Sequence, residues 1–151
     1  MKKHISIIIF SSIFIFNCWA IENCPQLSGK YRCSDGFGGS VNVNISQNGN
    51  EFILDGIQPL ERVIADGHTH QVANSSFYRN AKYRSYCKNN SVLAKGEGEV
   101  YQGGFYLGKA YFNLELKNSS HNLRRKVSGH IQGTFMRTPI NMNDLCYGMA
   151  L

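Results

Sequence analysis

The sequence predicts an all-β fold of about eight to ten short strands, a barrel or a sandwich, with a single antiparallel up-and-down β-barrel stapled by disulfides the preferred form. Three observations carry the prediction. Apolar and polar residues alternate through much of the chain, as in Ser40-Val41-Asn42-Val43-Asn44-Ile45-Ser46, and no stretch sustains a helical period of about 3.6 residues. Turn dipeptides punctuate the alternation: Asn48-Gly49, Asp66-Gly67, Asn89-Asn90 and Gly103-Gly104. Finally, Cys24, Cys33, Cys87 and Cys146 follow a segment that reads as an export leader.

The leader comes first. Lys2 and Lys3 precede an apolar run from Ile5 to Phe16, and Ala20 with Cys18 two residues earlier offers a small-residue cleavage site. The run is shorter than the roughly 20 residues a spanning helix needs, so no membrane span is expected once residues 1–20 are removed. The barrel domain would occupy residues 21–151, in a secreted or periplasmic setting, and the short Lys-Lys leader has a bacterial look. The whole 151-residue chain carries +6; without Lys2 and Lys3 the balance is 14 basic minus 10 acidic residues, or +4. This favours acidic partners, and export argues against nucleic acid.

Strands follow in order. Leu27 to Cys33 opens the sheet. Ser40–Ser46 and Glu51–Gly56 flank the Asn48-Gly49 hairpin, and residues 61–72 read as a second hairpin turning at Asp66-Gly67, with 60–66 the one place that would tolerate a helical turn. Residues 77–87 alternate aromatic and basic side chains. Residues 91–101 come next, then 105–117, with Phe112, Leu114 and Leu116 on one face. Lys117 to Asn122 read as a polar loop. Arg125 to Arg137 place Val127, Gly129, Ile131, Gly133 and Phe135 on one side, with Pro139 ending that strand. The tail from Asp144 to Leu151 could close the sheet. Glycines inside strands, Gly108, Gly129 and Gly133, suit the bending that closure requires.

Four exported cysteines imply two disulfides with three possible connectivities. If the chain from Leu27 to Cys33 is extended, Cys24 and Cys33 stand about 25–30 Å apart and both bridges must be long-range. A sharp turn at Leu27-Ser28-Gly29 would instead permit Cys24–Cys33. No C-x₂₋₄-C spacing suggests zinc.

Candidate binding residues are of two kinds. Inward aromatics, Tyr31, Phe77, Tyr83, Phe105, Tyr111 and Phe135, could line a cavity, depending on which strand face points inward. Arg79, Lys82, Arg84, Lys95, Arg124 and Arg125 could hold an anion or an acidic surface. His68 and His70, with Asp66, form the one weak metal candidate, needing a further ligand such as His121 or His130. Catalytic motifs are missing: no G-x-S-x-G elbow, no Walker loop and no dinucleotide fingerprint. Glu97 and Glu99 share a strand face, where exposed polarity explains them better than a glycosidase pair. No cofactor is expected.

Two resemblances add to this. Leu27-Ser28-Gly29-Lys30-Tyr31 resembles the Gly-x-Trp opening of lipocalin-like barrels, with tyrosine for tryptophan; Trp19, the sole tryptophan, lies in the leader. The resemblance implies an open barrel holding a small hydrophobic ligand. Tyr31-x-Cys33-x-x-Gly36, the strand and turn that follow, and Lys95-Gly96 are similar to bacterial C-type lysozyme inhibitors. That family's Ser-Gly-x-x-Tyr motif is not met: Tyr83 fits, but Arg79 and Asn80 occupy the Ser and Gly positions. The first expectation is therefore an exported non-catalytic barrel binding a small apolar or amphipathic, possibly anionic, ligand. The alternative is a protein-binding hydrolase inhibitor that contacts an acidic surface.

Overall fold

Ten strands form one antiparallel sheet in the computed structural model, which describes residues 24–34, 39–57, 60–133 and 136–149, with the side chain of Asp144 outside the description. The expected leader, Phe135 and part of the Gly-rich turn after Ser34 lie outside the described residues. The strands are β1 (Gly29–Ser34), β2 (Ser40–Asn48), β3 (Glu51–Asp55), β4 (Arg62–Ile64), β5 (Thr69–Gln71), β6 (Tyr78–Lys88), β7 (Ser91–Gln102), β8 (Phe105–Ser119), β9 (Asn122–Gln132) and β10 (Arg137–Gly148). Their order across the sheet is β4-β3-β2-β1-β10-β9-β8-β7-β6-β5. Sequential strands are thus neighbours everywhere except between β4 and β5. The first and last strands pair, so the seam of the barrel falls in the middle of the chain.

Tight turns explain the meander. Asn89-Asn90, at φ 51° and 58°, and Gly103-Gly104, at 58° and 84°, are two-residue loops in the left-handed conformation that matches strand twist. The expected polar loop after Lys117 is a correction: β8 runs on to Ser119, and Ser120-His121 alone make the turn, both at positive φ. Residues 62–64 form β4 rather than a helical turn. Pro139 does not end a strand but sits inside β10. It is tolerated because β10 pairs with β1 only near Tyr147 and Gly148, so no described strand lies beside Pro139 on that side.

Asp66-Gly67 is not a hairpin either. Gly67 turns at φ 78°, but β4 pairs with β3 and β5 with β6, so the segment carries the chain across the seam. Side chains close that seam. The Ile64 amide donates to the Tyr83 hydroxyl at 3.1 Å, and the Ser85 hydroxyl donates to the Ile64 carbonyl at 2.7 Å. The Gly67 amide donates to the Ser85 carbonyl at 2.8 Å.

The core is one cluster drawn from both sides of the barrel. It includes Leu27, Tyr31, Val43, Ile45, Phe52, Leu54, Val63, Tyr83, Val92, Phe112, Leu114, Leu116 and Leu123. The alternation expected for β2 and β8 holds: Val43 and Ile45, and Phe112, Leu114 and Leu116, are buried. One row across the tall strands reads Tyr83, Gly96, Phe112, Gly129, with each pair in register. A Cβ on Gly96 would meet the Phe112 ring at 2.4 Å, and one on Gly129 would meet the Tyr111 carbonyl oxygen at 1.9 Å. The Phe112 ring therefore lies over bare backbone at Gly96, and β8 and β9 approach backbone to backbone at Gly129, which lets the sheet bend sharply.

Both disulfides are long-range. Cys33–Cys146 joins β1 to β10 across 113 residues, and Cys24–Cys87 ties the segment ahead of β1 to the end of β6 across 63. That segment crosses one pole of the barrel. Leu27 is buried and its amide donates to Gln47 Oε1, while Asn118 Nδ2 donates to the Gln26 carbonyl. Two such bridges fit an oxidising compartment. Among the described residues no helix is long and apolar enough to cross a membrane.

At the other pole the barrel is lopsided. β1 ends at Ser34, whereas β6 to β10 continue past it for several residues, as does the β7–β8 hairpin that turns at Gly103-Gly104. On this overhang Phe105, Tyr106 and Leu107 are exposed, whereas Ala81 and Ala110 on its inner face are buried.

Candidate functional site

Strand parity sorts the candidate residues. Because Phe112, Leu114 and Leu116 point inward, Tyr111 must point outward, and it does. Phe77 and Phe105 also face solvent, beyond the core at the tall end. These three correct the expectation of an inward aromatic lining; Phe135 lies outside the described residues. Tyr31 and Tyr83 are inward. The Tyr31 hydroxyl donates to the Leu27 carbonyl at 2.9 Å, and Tyr83 serves the seam. Burial raises the pKa of both above the ordinary tyrosine value.

The basic candidates divide in the same way. Arg125 is inside, 5% exposed, with Nη2 donating to the Ser34 carbonyl at 2.8 Å. It pins the end of β1 to β9 and is not presented to a partner, which corrects its placement among surface contacts. Arg124, one residue earlier, is exposed on the opposite face. Arg79 lies 4.4 Å over the Tyr101 ring. Lys82 and Lys109 each approach Glu97 at 3.1 Å. These hydrogen bonds, from Lys109 first and then Lys82, hold the Glu97 carboxyl below its ordinary pKa. Glu99 accepts from Asn80 Nδ2 and the Tyr101 hydroxyl, both at 3.1 Å.

Arg84 and Lys95 meet on the outer face. They are paired across β6 and β7, and the row continues through Asn113 to Ser128. The next row is Tyr86, Leu93, Glu115 and Lys126. Together with Ala65, Asp66, Gly67 and His68, these residues line a groove of about 1120 Å³. Its apolar floor is Tyr86 and Leu93, and its cations are Arg84, Lys95 and Lys126. Arg84 Nε donates to the Gly67 carbonyl and so anchors the wall. The two carboxylates are already engaged: Asp66 Oδ1 contacts the His68 amide at 2.8 Å and His70 Nε2 at 2.9 Å, and Glu115 accepts from the Ser91 hydroxyl at 3.1 Å. Burial works against the Asp66 carboxylate, but the His70 and His68 hydrogen bonds outweigh it and leave its pKa below the ordinary value. Among the described residues Lys95 and Lys126 have no side-chain partner.

Leu93 was not among the residues singled out as contacts, whereas Lys126 belongs to the basic run Arg124-Arg125-Lys126 and Tyr86 to the aromatic–basic alternation of residues 77–87. Parity places Arg124 and Lys126 on one face of β9 and Arg125 on the other. Tyr86 and Leu93 join the site only through the β6–β7 register, which the turn at Asn89-Asn90 sets. At the metal candidate, Asp66 contacts His70, but no group of three His, Cys, Asp or Glu side chains comes together among the described residues. Compared with known protein families, curated proteins and solved structures, the chain matches none.

Proposed function

We propose that this protein is an exported, non-catalytic binding barrel, secreted or periplasmic, that holds an amphipathic anion on its outer face rather than a ligand in its interior. The observation that carries this reading is the groove in which Lys95 and Lys126 flank Tyr86 and Leu93. An apolar body would rest on the ring and the leucine, and a carboxylate or phosphate head would meet the cations. The interior is a poorer host, because Tyr31, Tyr83, Phe112 and their neighbours fill it and the two tyrosine hydroxyls are committed. This departs from what a lipocalin-like barrel implies.

The test is displacement of a fluorescent fatty acid from the oxidised protein. Saturable binding should weaken about tenfold or more in Lys95→Gln/Lys126→Gln and should fall with added salt. Both lysines are exposed, so the fold should survive, as circular dichroism can verify. Absence of saturable binding, or binding indifferent to the double substitution, overturns the reading.

A further inference from the structure

The tall end of the barrel gathers exposed apolar side chains that the groove does not use. Three separate turns reach the same pole. The Tyr101 amide donates to the Phe77 carbonyl, which places Phe77 beside the β7–β8 hairpin. Gly133, after β9, packs against the Leu107 carbonyl, and the Gly133 amide donates to the Met136 carbonyl. Phe105 is 78% exposed, Met136 73% and Phe77 58%, with Tyr106 and Leu107 exposed beside them. Scattered exposed apolar residues are ordinary; five large ones at one pole are not.

Each turn also repeats one pattern, an apolar tip followed by a cation on the strand behind it: Phe77-Tyr78-Arg79, Phe105-Tyr106-Leu107-Gly108-Lys109 and Met136-Arg137. At about 3.3 Å per residue, the cations trail the tips by roughly 3–13 Å. No acidic residue lies within these three stretches. The outer face behind them holds Arg79, Lys82, Lys109 and Arg137 against Glu97 and Glu99, four charges minus two, or +2.

We infer that this pole docks on an anionic lipid bilayer, its apolar tips entering the interface and its cations meeting the phosphates. The spacing of tips and cations matches the depth order of acyl chains and headgroups. The surface is a set of separate projecting tips rather than a pocket, which suits a deformable bilayer. A second copy of the chain would bring like charge to like charge. The bulge at Leu107, where Val100 pairs with Gly108 but Tyr101 with Tyr106, turns the end of the hairpin and keeps Leu107 at the tip.

Co-sedimentation of the oxidised protein with vesicles tests this, using phosphatidylcholine with phosphatidylglycerol against phosphatidylcholine alone. The protein should pellet with the anionic vesicles and be released by salt. Phe105→Ser/Met136→Ser should weaken partitioning about tenfold or more, because both side chains lose their share of the interface. Arg79→Gln/Arg137→Gln should weaken it about tenfold on anionic vesicles. Lys95→Gln/Lys126→Gln should leave it unchanged, so that groove binding and docking stand or fall separately. Protein that stays in the supernatant with every vesicle overturns the inference and leaves a soluble protein partner for the pole. So does equal binding to both vesicle types, or pelleting that survives loss of Phe105 and Met136.

Discussion

Removing the Tyr83 hydroxyl should unzip the seam of the barrel without disturbing its core. In Tyr83→Phe the ring stays in place beside His70, 5.5 Å away centroid to centroid, and only the acceptor for the Ile64 amide disappears. In Ser85→Ala the donor to the Ile64 carbonyl disappears. Ile64 faces Glu51 on β3, and these two hydroxyls serve its peptide groups on the other side, where a neighbouring strand would otherwise stand. A hydrogen bond of this kind contributes about 0.5–1.5 kcal/mol, and stranding the half-buried partner adds to the loss, so each substitution should cost about 1–2 kcal/mol. Both act on one residue, so the double variant should fall short of the sum by at least about 0.5 kcal/mol. Against a total stability of about 5–15 kcal/mol this is measurable by urea unfolding followed by circular dichroism. Amide exchange should localise it, with Ile64 and Gly67 losing protection before the β7–β8 hairpin does. If both single variants unfold within about 0.3 kcal/mol of the parent and the Ile64 amide keeps its protection, the hydroxyls do not close the seam. Burial of the Tyr83 ring adds an alkaline loss. It raises the Tyr83 pKa above its ordinary value of 10.0, against the Ile64 hydrogen bond that lowers it, so the stabilisation tied to the neutral phenol is complete below that value and is lost as pH rises through the higher folded one.

Two further outcomes follow from the bridges and the overhang. Replacing Cys33 and Cys146 by serine reopens a loop of 113 residues, which loop-closure entropy values at about 4–5 kcal/mol; because few backbone pairs join β1 to β10, β1 amides should lose protection first, and undiminished protection there would refute the assignment. Glu97→Gln should remove the attraction to Lys82 and Lys109. Since the Glu97 pKa is depressed in the fold, the parent's advantage should be full above the ordinary glutamate value and vanish as pH falls through the lower folded one; a thermal-melting difference between the two proteins that is flat in pH would contradict this.

What the sequence revealed was mostly local. Period-two alternation identified the inward faces of β2 and β8, and glycine or asparagine pairs marked hairpins at Asn89-Asn90 and Gly103-Gly104, because those signals depend on neighbouring residues alone. Ser120-His121 escaped notice because nothing in its side chains demands positive φ; the strands on either side impose it. Asp66-Gly67 misled for the opposite reason. Its turn is real, but the partners of β4 and β5 are chosen by barrel closure, which is a property of the whole sheet. Long-range disulfides follow only if the chain ahead of Cys33 is extended, a choice the sequence left open at Leu27-Ser28-Gly29, and the pairing of Cys24 with Cys87 needed the fold. At the candidate site, Arg84 and Lys95 were legible as basic strand residues, but their meeting with Lys126 is a matter of register across four strands. Parity within β9 separates Arg125 from its neighbours, and its reach to the Ser34 carbonyl is one contact that makes a buried guanidinium tolerable there.

The uneven height of the barrel links these features. A closed sheet covers its inner face with its own far side, but β1 to β4 stop short, so among the described residues no strand stands opposite the upper parts of β6 to β10. Their inner face answers with small residues: Ala81, Gly98 and Ala110 curl the sheet so tightly that a Cβ on Gly98 would sit 2.7 Å from that of Ala81. Their outer face answers with cross-strand pairs instead of burial. Tyr111 stacks on His130 with centroids 5.1 Å apart, Arg137 Nη2 reaches His130 Nδ1 at 3.2 Å, and Glu97 bridges Lys82 and Lys109. Such pairs contribute about 0.2–1 kcal/mol each, enough to hold register but not to replace a core. Neither device covers Phe77, Phe105, Leu107 or Met136, which stay about half or more exposed. Phe105 and Met136, the most exposed of the four, bury little in the isolated chain, so polar residues at those two positions should cost the folded barrel little. Phe77 and Leu107 are about half buried and do contribute to the fold, so the part of this apolar crown that the isolated chain leaves unexplained is centred on Phe105 and Met136.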